Sequence, residues 1–341
     1  MSKIEGNSEE LDLALAQIDK QYGRGVVISD GKYVDREVGV LSTGNYEVDK
    51  MLGVGGMPTG RIVEIMGAEG LGKTMMALCM AAQAQKEGHK VLYIDAEHDL
   101  DPIWASYLGV DMDELLLCQP DYGEQALDIA QMLMKTGAVK LIIVDSVAAL
   151  APKSVIEGTI EDNHVAALPR MMSQAMSVMR PIVKKTDTCL VLLNQIRDKI
   201  GFMQSGTQSS GGRAIRFYSS VRLELKRMGD YKEGTEILGT KVQAKTIKNK
   251  VATPHQIVEY NIIDGYGFDN VGSVTKDAVQ KKLLIKAGSW LYYPEINKET
   301  GEITKGTAIG NGSKQQREYF DKNPEEFTNI IQQLKELNKN V

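Results

Sequence analysis

Cysteine is scarce: three in 341 residues, at Cys79, Cys118 and Cys189, widely spaced. Two lie in apolar runs, so they read as reduced, buried small hydrophobes of a cytoplasmic protein rather than a disulfide framework. No pairing of cysteine with the four histidines has zinc-ligand spacing. Long apolar runs are missing, which excludes a helical membrane span. The first residues, "MSKIEGNSEELD", are polar and acidic and lack an apolar signal core. Excess positive charge is missing too: the net charge is −5. A surface coated in basic charge is thereby excluded, and any nucleic-acid binding must come from a focused patch. What is present is 43% hydrophobic and 25% charged residues, the mix of a packed globular core. The length suits one large domain plus a small one.

"EELDLALAQIDKQYG" puts Leu11, Leu15, Ile18 and Tyr22 on one helical face, ended by Gly23 and Gly25. The short run "VVIS" follows. This predicts a helix-plus-strand arm with no core of its own, either frayed or docked on a neighbouring subunit. From about Leu41 to Asp264, buried-strand patterns ("RIVEIMG", "KVLYIDAE", "LLLCQ", "KLIIVDSVAAL", "CLVLLNQ") alternate with helical ones at 73–86, 124–135 and 165–184. Such alternation predicts an α/β fold, a mostly parallel twisted sheet with helices on both faces. Ligands of such sheets bind at the carboxyl ends of strands. "SVRLELKRM", "TKVQAKTIKNK" and "QIVEYNIID" alternate more strictly and predict an antiparallel extension. After Gly267 come a helix, an extended stretch, a polar turn-rich segment "NKETGEITKGTAIGNGSK", and a final helix capped by Asn323 and Pro324. The expected division is an arm over 1–36, a core over 37–269 and a small α+β domain over 270–341.

"GAEGLGKT", Gly67–Thr74, fits G-x-x-x-x-G-K-[ST] directly between a buried strand and a helix. Average residue frequencies give a chance match in about 1% of chains of this length, before that context is counted. Gly67, Gly70 and Gly72 let the backbone N–H groups of Gly67, Ala68, Glu69, Gly70, Leu71, Gly72, Lys73, Thr74 and Met75 turn around phosphates. The helix start adds its positive dipole end. Lys73 is placed to reach the β/γ-phosphates of ATP, and the Thr74 hydroxyl to ligate Mg²⁺. Asp145 ends the apolar strand "KLIIVD", where a lone carboxylate is costly; holding Mg²⁺ through water offsets that cost. Glu97 ends the strand after the phosphate-loop helix. If that strand neighbours the loop strand, Glu97 reaches a water in line with the γ-phosphate; spacing alone equally suits an N-cap for the helix near Asp101. His98 reads as a packing residue. Trp104 either stacks on adenine or fills the core.

The remaining puzzle is "NQIRDKIGFMQSGTQSSGGR", Asn194–Arg213: a buried strand opening into a long Gly/Ser/Gln-rich loop. Structureless loops of that length are uncommon in compact domains and are functional or disordered. Arg197, Lys199 and Arg213 against Asp198 leave a charge of +2, suited to a phosphodiester backbone. Ile200 or Phe202 is suited to wedge between bases.

Read in order, "LSTGNYEVDKMLGVGGMPTGRIVEI", "GAEGLGKT", "IDAEHDLDPIWA", "QPDYGEQALDI", "VDSVAALAPKSVIEG", "RMMSQAM", "NQIRDKIG", "GGRAIRFYSSVRL" and "KNKVATP" closely resemble the RecA recombinases of bacteria and their phages, over about residues 10–290. The resemblance implies a RecA-like ATPase core and an ATP- and Mg²⁺-dependent filament, a helical homopolymer on single-stranded DNA. It further implies pairing with homologous double-stranded DNA and strand exchange, in recombination and repair, alongside a single-strand-binding protein and loaders. By the same resemblance Glu97 is the catalytic carboxylate, Asp101 and Trp104 contact adenine, and Gln195 senses the γ-phosphate. Lys248 and Lys250 reach the ATP of the adjacent subunit, and Phe217 lies at the subunit interface. Arg170, Arg197 and Lys199 contact DNA, and the loop after Gln195, with Ile200, Gly211, Gly212 and Arg213, is the second DNA-binding loop. The first, "EGTIEDNHV", is acidic here, so Asn163, Val165 or backbone would make its contacts.

Departures from the family pattern are Gly70 and Leu71 for two serines, Ser177 for an arginine, Asp264 for an aromatic, and an expanded 297–313 segment. The usual acidic tail is not seen, which leaves Lys281, Lys282 and Lys286 either to meet duplex DNA or simply to be solvated. Two other functions share the core: a hexameric helicase, and a strand-coating filament that uses ATP only as a switch.

Overall fold

The computed structural model describes residues 8–23, 26–27, 38–159, 166–198, 207–296 and 302–339. The chain divides into two units at Val38/Gly39. The first holds α1 (Ser8–Tyr22), with Leu11 and Tyr22 exposed and Leu15 and Ile18 partly covered. Val26 and Val27 form a bend, not the expected strand; residues 28–37, where "VVIS" continues, lie outside the described residues.

In the second unit β1 (Val40–Leu41) and β2 (Met57–Pro58) flank α2 (Tyr46–Met51), whose Asn45 cap accepts from the Val48 N–H. There follow β3 (Arg61–Gly67), α3 (Lys73–Lys86), β4 (Lys90–Asp95), α4 (Pro102–Tyr107), β5 (Leu115–Cys118), α5 (Gly123–Lys135) and β6 (Val139–Asp145). Next come α6 (Lys153–Glu157), α7 (Ala167–Thr186), β7 (Cys189–Asp198), β8 (Thr207–Ser209), α8 (Arg213–Tyr218), β9 (Val221–Glu233), β10 (Glu236–Asn249), β11 (Ile257–Ile263) and β12 (Gly267–Phe268). The chain closes with α9 (Asn270–Gln280), β13 (Ile285–Ala287), β14 (Trp290–Ile296), β15 (Ile303–Asn311), α10 (Gly312–Lys322) and α11 (Pro324–Lys339).

The large sheet runs β12-β11-β10-β9-β3-β7-β6-β4-β5. From β9 to β5 every pairing is parallel; β9 to β12 pair antiparallel, the expected extension. Strand alternation feeds two cores. Val63, Ile65, Ile143, Val191 and Leu193 face α3, whereas Ile62, Ile142, Val144, Leu190 and Leu192 face α5 and α7. A third cluster joins Val274, Leu284, Leu291, Phe320 and Leu334 to Tyr46 of α2. Tyr46 Oη and Lys50 Nζ both donate to Asp277 at 2.6 Å, so α9 is tied to α2 by one buried and one partly exposed polar bond as well.

Four details differ from the sequence reading. β4 does not neighbour β3: β7 and β6 lie between them. "LLLCQ" is an edge strand, with Leu116 and Leu117 exposed, because among the described residues no strand pairs with its outer side. The polar segment before the last helix is not turn throughout: Ile303–Asn311 pairs antiparallel with β14, Ile303, Thr304, Thr307 and Ile309 being β-branched, and α10 follows it. Likewise the loop after Gln195 is not wholly irregular, because Thr207–Ser209 folds back on Ile196–Asp198.

Candidate nucleotide and DNA site

At the carboxyl end of β3 the chain turns through Gly67–Thr74 into α3. Gly72 is the N-cap at φ +73°, with no side chain capping the helix; a Cβ there would sit 2.7 Å from Ile262 Cδ1. The first amides of α3 are therefore open to an anion. Leu71 is buried and packs in the core, and Gly70, also left-handed at φ +72°, faces open space. The serine-to-Gly/Leu departure thus leaves the backbone cradle in place. Met75 is core, while Ala68 and Glu69 are exposed. Lys73 folds back, donating from Nζ to the carbonyls of Gly67 (3.1 Å) and Ala68 (2.7 Å). Burial lowers its pKa, opposed by the charges of Asp145, Glu97 and Glu69.

Asp145 is buried at the end of β6 and accepts two bonds on Oδ2, from Thr74 Oγ1 and from Tyr93 Oη, both 2.7 Å. Burial raises its pKa; the two hydrogen bonds act against that. A hydroxyl and a carboxylate in contact form a hard oxygen pair, the kind Mg²⁺ takes together with waters and phosphate oxygens. The donor set fits Mg²⁺, and among the described residues no cluster of three His, Cys, Asp or Glu offers a dedicated metal cage.

Glu97 lies just beyond β4. Its turn is pinned by Ala96 N–H to the Asp145 carbonyl (2.8 Å), and Asp95 accepts from Gln119 Nε2 (2.9 Å) and from the Leu100 amide (3.2 Å). Ser146 Oγ donates to Glu97 Oε1 at 2.5 Å, and Gln195 Nε2 approaches the same oxygen at 3.5 Å. Three strand ends, those of β4, β6 and β7, thus converge on one carboxylate oxygen beside the phosphate loop. The N-cap alternative for Glu97 does not hold: Asp101 caps α4 itself, Oδ1 accepting from the amides of Ile103 (2.8 Å) and Trp104 (3.2 Å). Trp104 stacks on Tyr107 with ring centroids 5.2 Å apart and packs against the core.

The family model of the RecA N-terminal domain matches residues 9–269. The chain belongs to the RecA family. Protein RecA of Salinispora tropica is 42% identical over 337 residues, 98% of this chain and 94% of the relative; Protein RecA of Salinispora arenicola matches to the same extent. In this RecA-family chain the phosphate loop, the carboxylate of Glu97 and the Gln195 amide share one corner.

Other expected residues of this RecA-family chain fall elsewhere. Gly211 and Gly212 take left-handed φ of +79° and +78° and lead into α8, with Arg213 exposed. Arg170 is exposed on the first turn of α7. Arg197 pairs with Gln208 across β7 and β8. Asn163, Val165, Lys199, Ile200 and Phe202 lie outside the described residues. Phe217 is exposed. Lys248 Nζ donates to the carbonyls of Arg216 (2.8 Å) and Phe217 (3.1 Å), and the Lys250 amide bonds the Ser220 carbonyl. Ser220 N–H in turn bonds the Ile62 carbonyl, so Lys250 sits at the amino end of β3. Five residues of strand, about 17 Å, separate that end from Gly67. One chain does not bring Lys250 to its own phosphate loop.

Tyr93, Ser146, Gln119, Glu64, Asn194 and Arg222 escaped the sequence reading. Only Tyr93 left a signal: it shares a face of β4 with Asp95, the face that ends at the site.

Proposed function

We propose that the chain is a cytoplasmic DNA-stimulated ATPase that polymerises on single-stranded DNA and exchanges strands with a homologous duplex. The convergence of Ser146 and Gln195 on Glu97 Oε1 carries this reading. In it, the amides of 67–75 cradle the phosphates and Lys73 trades its two carbonyl partners for phosphate oxygens. Thr74 and Asp145 hold Mg²⁺, which when bound neutralises phosphate charge. Glu97, held by Ser146, orients water and takes its proton. Asp101 and Trp104 flank the adenine. Gln195 leaves Glu97 for the γ-phosphate, and the loop behind it, with Arg170, Arg197, Lys199 and Arg213, closes on DNA. Lys248 and Lys250, at the far end of β3, face the nucleotide of a second copy. Residues 1–36 form the arm that joins copies, 37–269 the ATPase core, and 270–341 a small domain.

The test is phosphate release with and without single-stranded DNA, strand exchange, and electron microscopy on one sample. Stimulated release, joint molecules and extended helical filaments support the reading. Closed rings, or coating without exchange, overturn it.

Two further results are expected. DNA affinity should fall with salt, and Arg213→Ala should flatten the log–log slope by about 1 per subunit while weakening all sequences alike. An unchanged slope removes Arg213 from the DNA contacts. The pKa of Lys248 is pushed down to about 8, by burial first and then by Lys250, Arg222 and Arg180. Raising pH through that value discharges the amine, so ATP-dependent assembly should weaken by up to about tenfold per pH unit above it, one proton being taken up on binding. Lys248→Arg stays charged and should flatten the profile. Equal pH profiles for parent and variant would remove Lys248 from the seam.

A further inference from the structure

Beneath the phosphate-loop strand lies a buried polar network that no step above uses. Glu64 on β3 is fully buried, and Arg222 on β9 nearly so. Arg222 Nε donates to Glu64 Oε2 at 2.5 Å. Asn194 on β7, also fully buried, donates from Nδ2 to Glu64 Oε1 at 2.9 Å. The same Nδ2 donates to the Ser210 carbonyl at 2.9 Å. Ser210 directly precedes Gly211, Gly212 and Arg213, the returning stem of the loop proposed to bind DNA. Asn194 Oδ1 is buried and has no donor among the described residues.

The amide cannot be turned over. Both of its neighbours, a carboxylate and a carbonyl, are acceptors, so Nδ2 must face them and Oδ1 must face away. Its lower partner is rigid, because pulling Glu64 from Arg222 leaves an uncompensated buried charge. Its upper partner belongs to a segment that must rearrange if it closes on DNA. A buried acceptor left idle is costly and calls for an explanation. Side chains alternate along a strand, so Gln195 addresses Glu97 on one face of β7 while Asn194 addresses Glu64 and Ser210 on the other.

We propose that Asn194 is a positioning residue that registers the returning stem of the DNA-binding loop, Ser210–Arg213, to the phosphate-loop strand, its idle Oδ1 taking a backbone N–H of that stem when the chain binds DNA. This rests on the functional reading above. It adds a second link between nucleotide and DNA, through the strand rather than through the γ-phosphate.

The exchange Glu64→Gln with Asn194→Asp tests it in the full-length protein. The cluster keeps one carboxylate, one amide and Arg222, but the Ser210 carbonyl now faces a carboxylate instead of a donor. Expected are a cooperative thermal transition and DNA-free phosphate release within about threefold of the parent. The ratio of single-strand affinity in ATP to that in ADP should fall about tenfold. Glu64→Gln alone keeps the Ser210 bond and should keep the ratio. A folded exchange variant with the parental ratio overturns the proposal, as does an equal loss in a Glu64→Gln variant that keeps the parental cooperative thermal transition. The parent supplies a readout independent of any variant's folding: ATP plus an oligonucleotide should slow hydrogen exchange at the Gly211 and Gly212 amides. Unchanged exchange there overturns the role of Oδ1. A parent that grips oligonucleotides equally with ATP and ADP overturns the functional reading itself, and this inference with it.

Discussion

Glu97→Gln leaves ATP binding and filament formation intact and lowers hydrolysis by about 10²–10⁴-fold. The substitution is nearly isosteric, and an amide oxygen still accepts from Ser146 Oγ, the partner of Glu97 Oε1. What disappears is the capacity to take a proton. The size of the loss separates two roles. If Glu97 only held water by one charge-assisted hydrogen bond, removing the charge would cost about 1.5–3 kcal/mol, roughly 10- to 150-fold. A loss at the upper end of the wider range needs proton transfer as well. Single-turnover phosphate release, paired with direct titration of a fluorescent ATP analogue, distinguishes lost chemistry from lost binding. Near-parental turnover with intact binding rejects the assignment of Glu97.

The parts of this site differ in how readable they were, and for a physical reason. The phosphate cradle is built from consecutive residues, Gly67–Thr74, so its sequence is its geometry. The antiparallel extension was readable because period-two alternation is a local property of β9, β10 and β11. Glu97 and Gln195 sit 98 residues apart and meet only because the strand order brings β4, β6 and β7 side by side. Strand order is a long-range outcome, and the adjacency of β4 to β3 that would bring Glu97 to the phosphate loop is not what the chain adopts. The carboxylate gets there by a different route, through a turn pinned to the end of β6. Resemblance to known sequences supplied what periodicity did not. Glu64, Asn194 and Arg222 had no signal of their own: each is a single polar residue in an apolar strand, and only folding pairs them. The β14–β15 hairpin was missed because its polar, Gly-rich residues resemble a loop until paired.

Gln195→Ala is expected to bind ATP normally and lose the gain in DNA affinity that ATP confers. Coupling between two ligands typically amounts to about 1–3 kcal/mol, a factor of roughly 5–150. In the parent, single-strand affinity with ATP should exceed that with ADP by a factor in this range; in the variant the two should coincide. The physical reason is the weakness of the resting contact. At 3.5 Å from Glu97 Oε1, Gln195 Nε2 makes a marginal hydrogen bond, so a γ-phosphate oxygen outcompetes it at little cost. Gln195 lies three residues before the end of β7, from which the loop proposed to bind DNA departs. Alanine leaves no group to be recruited, while the phosphate cradle, which contains no atom of residue 195, is untouched. Reciprocity makes the test strict: if ATP tightens DNA binding by a given factor, DNA must tighten ATP binding by the same factor. Two titrations, oligonucleotide at saturating nucleotide and nucleotide at saturating oligonucleotide, should therefore yield one number in the parent and unity in Gln195→Ala. A variant that retains the parental factor in both directions places the coupling elsewhere than Gln195.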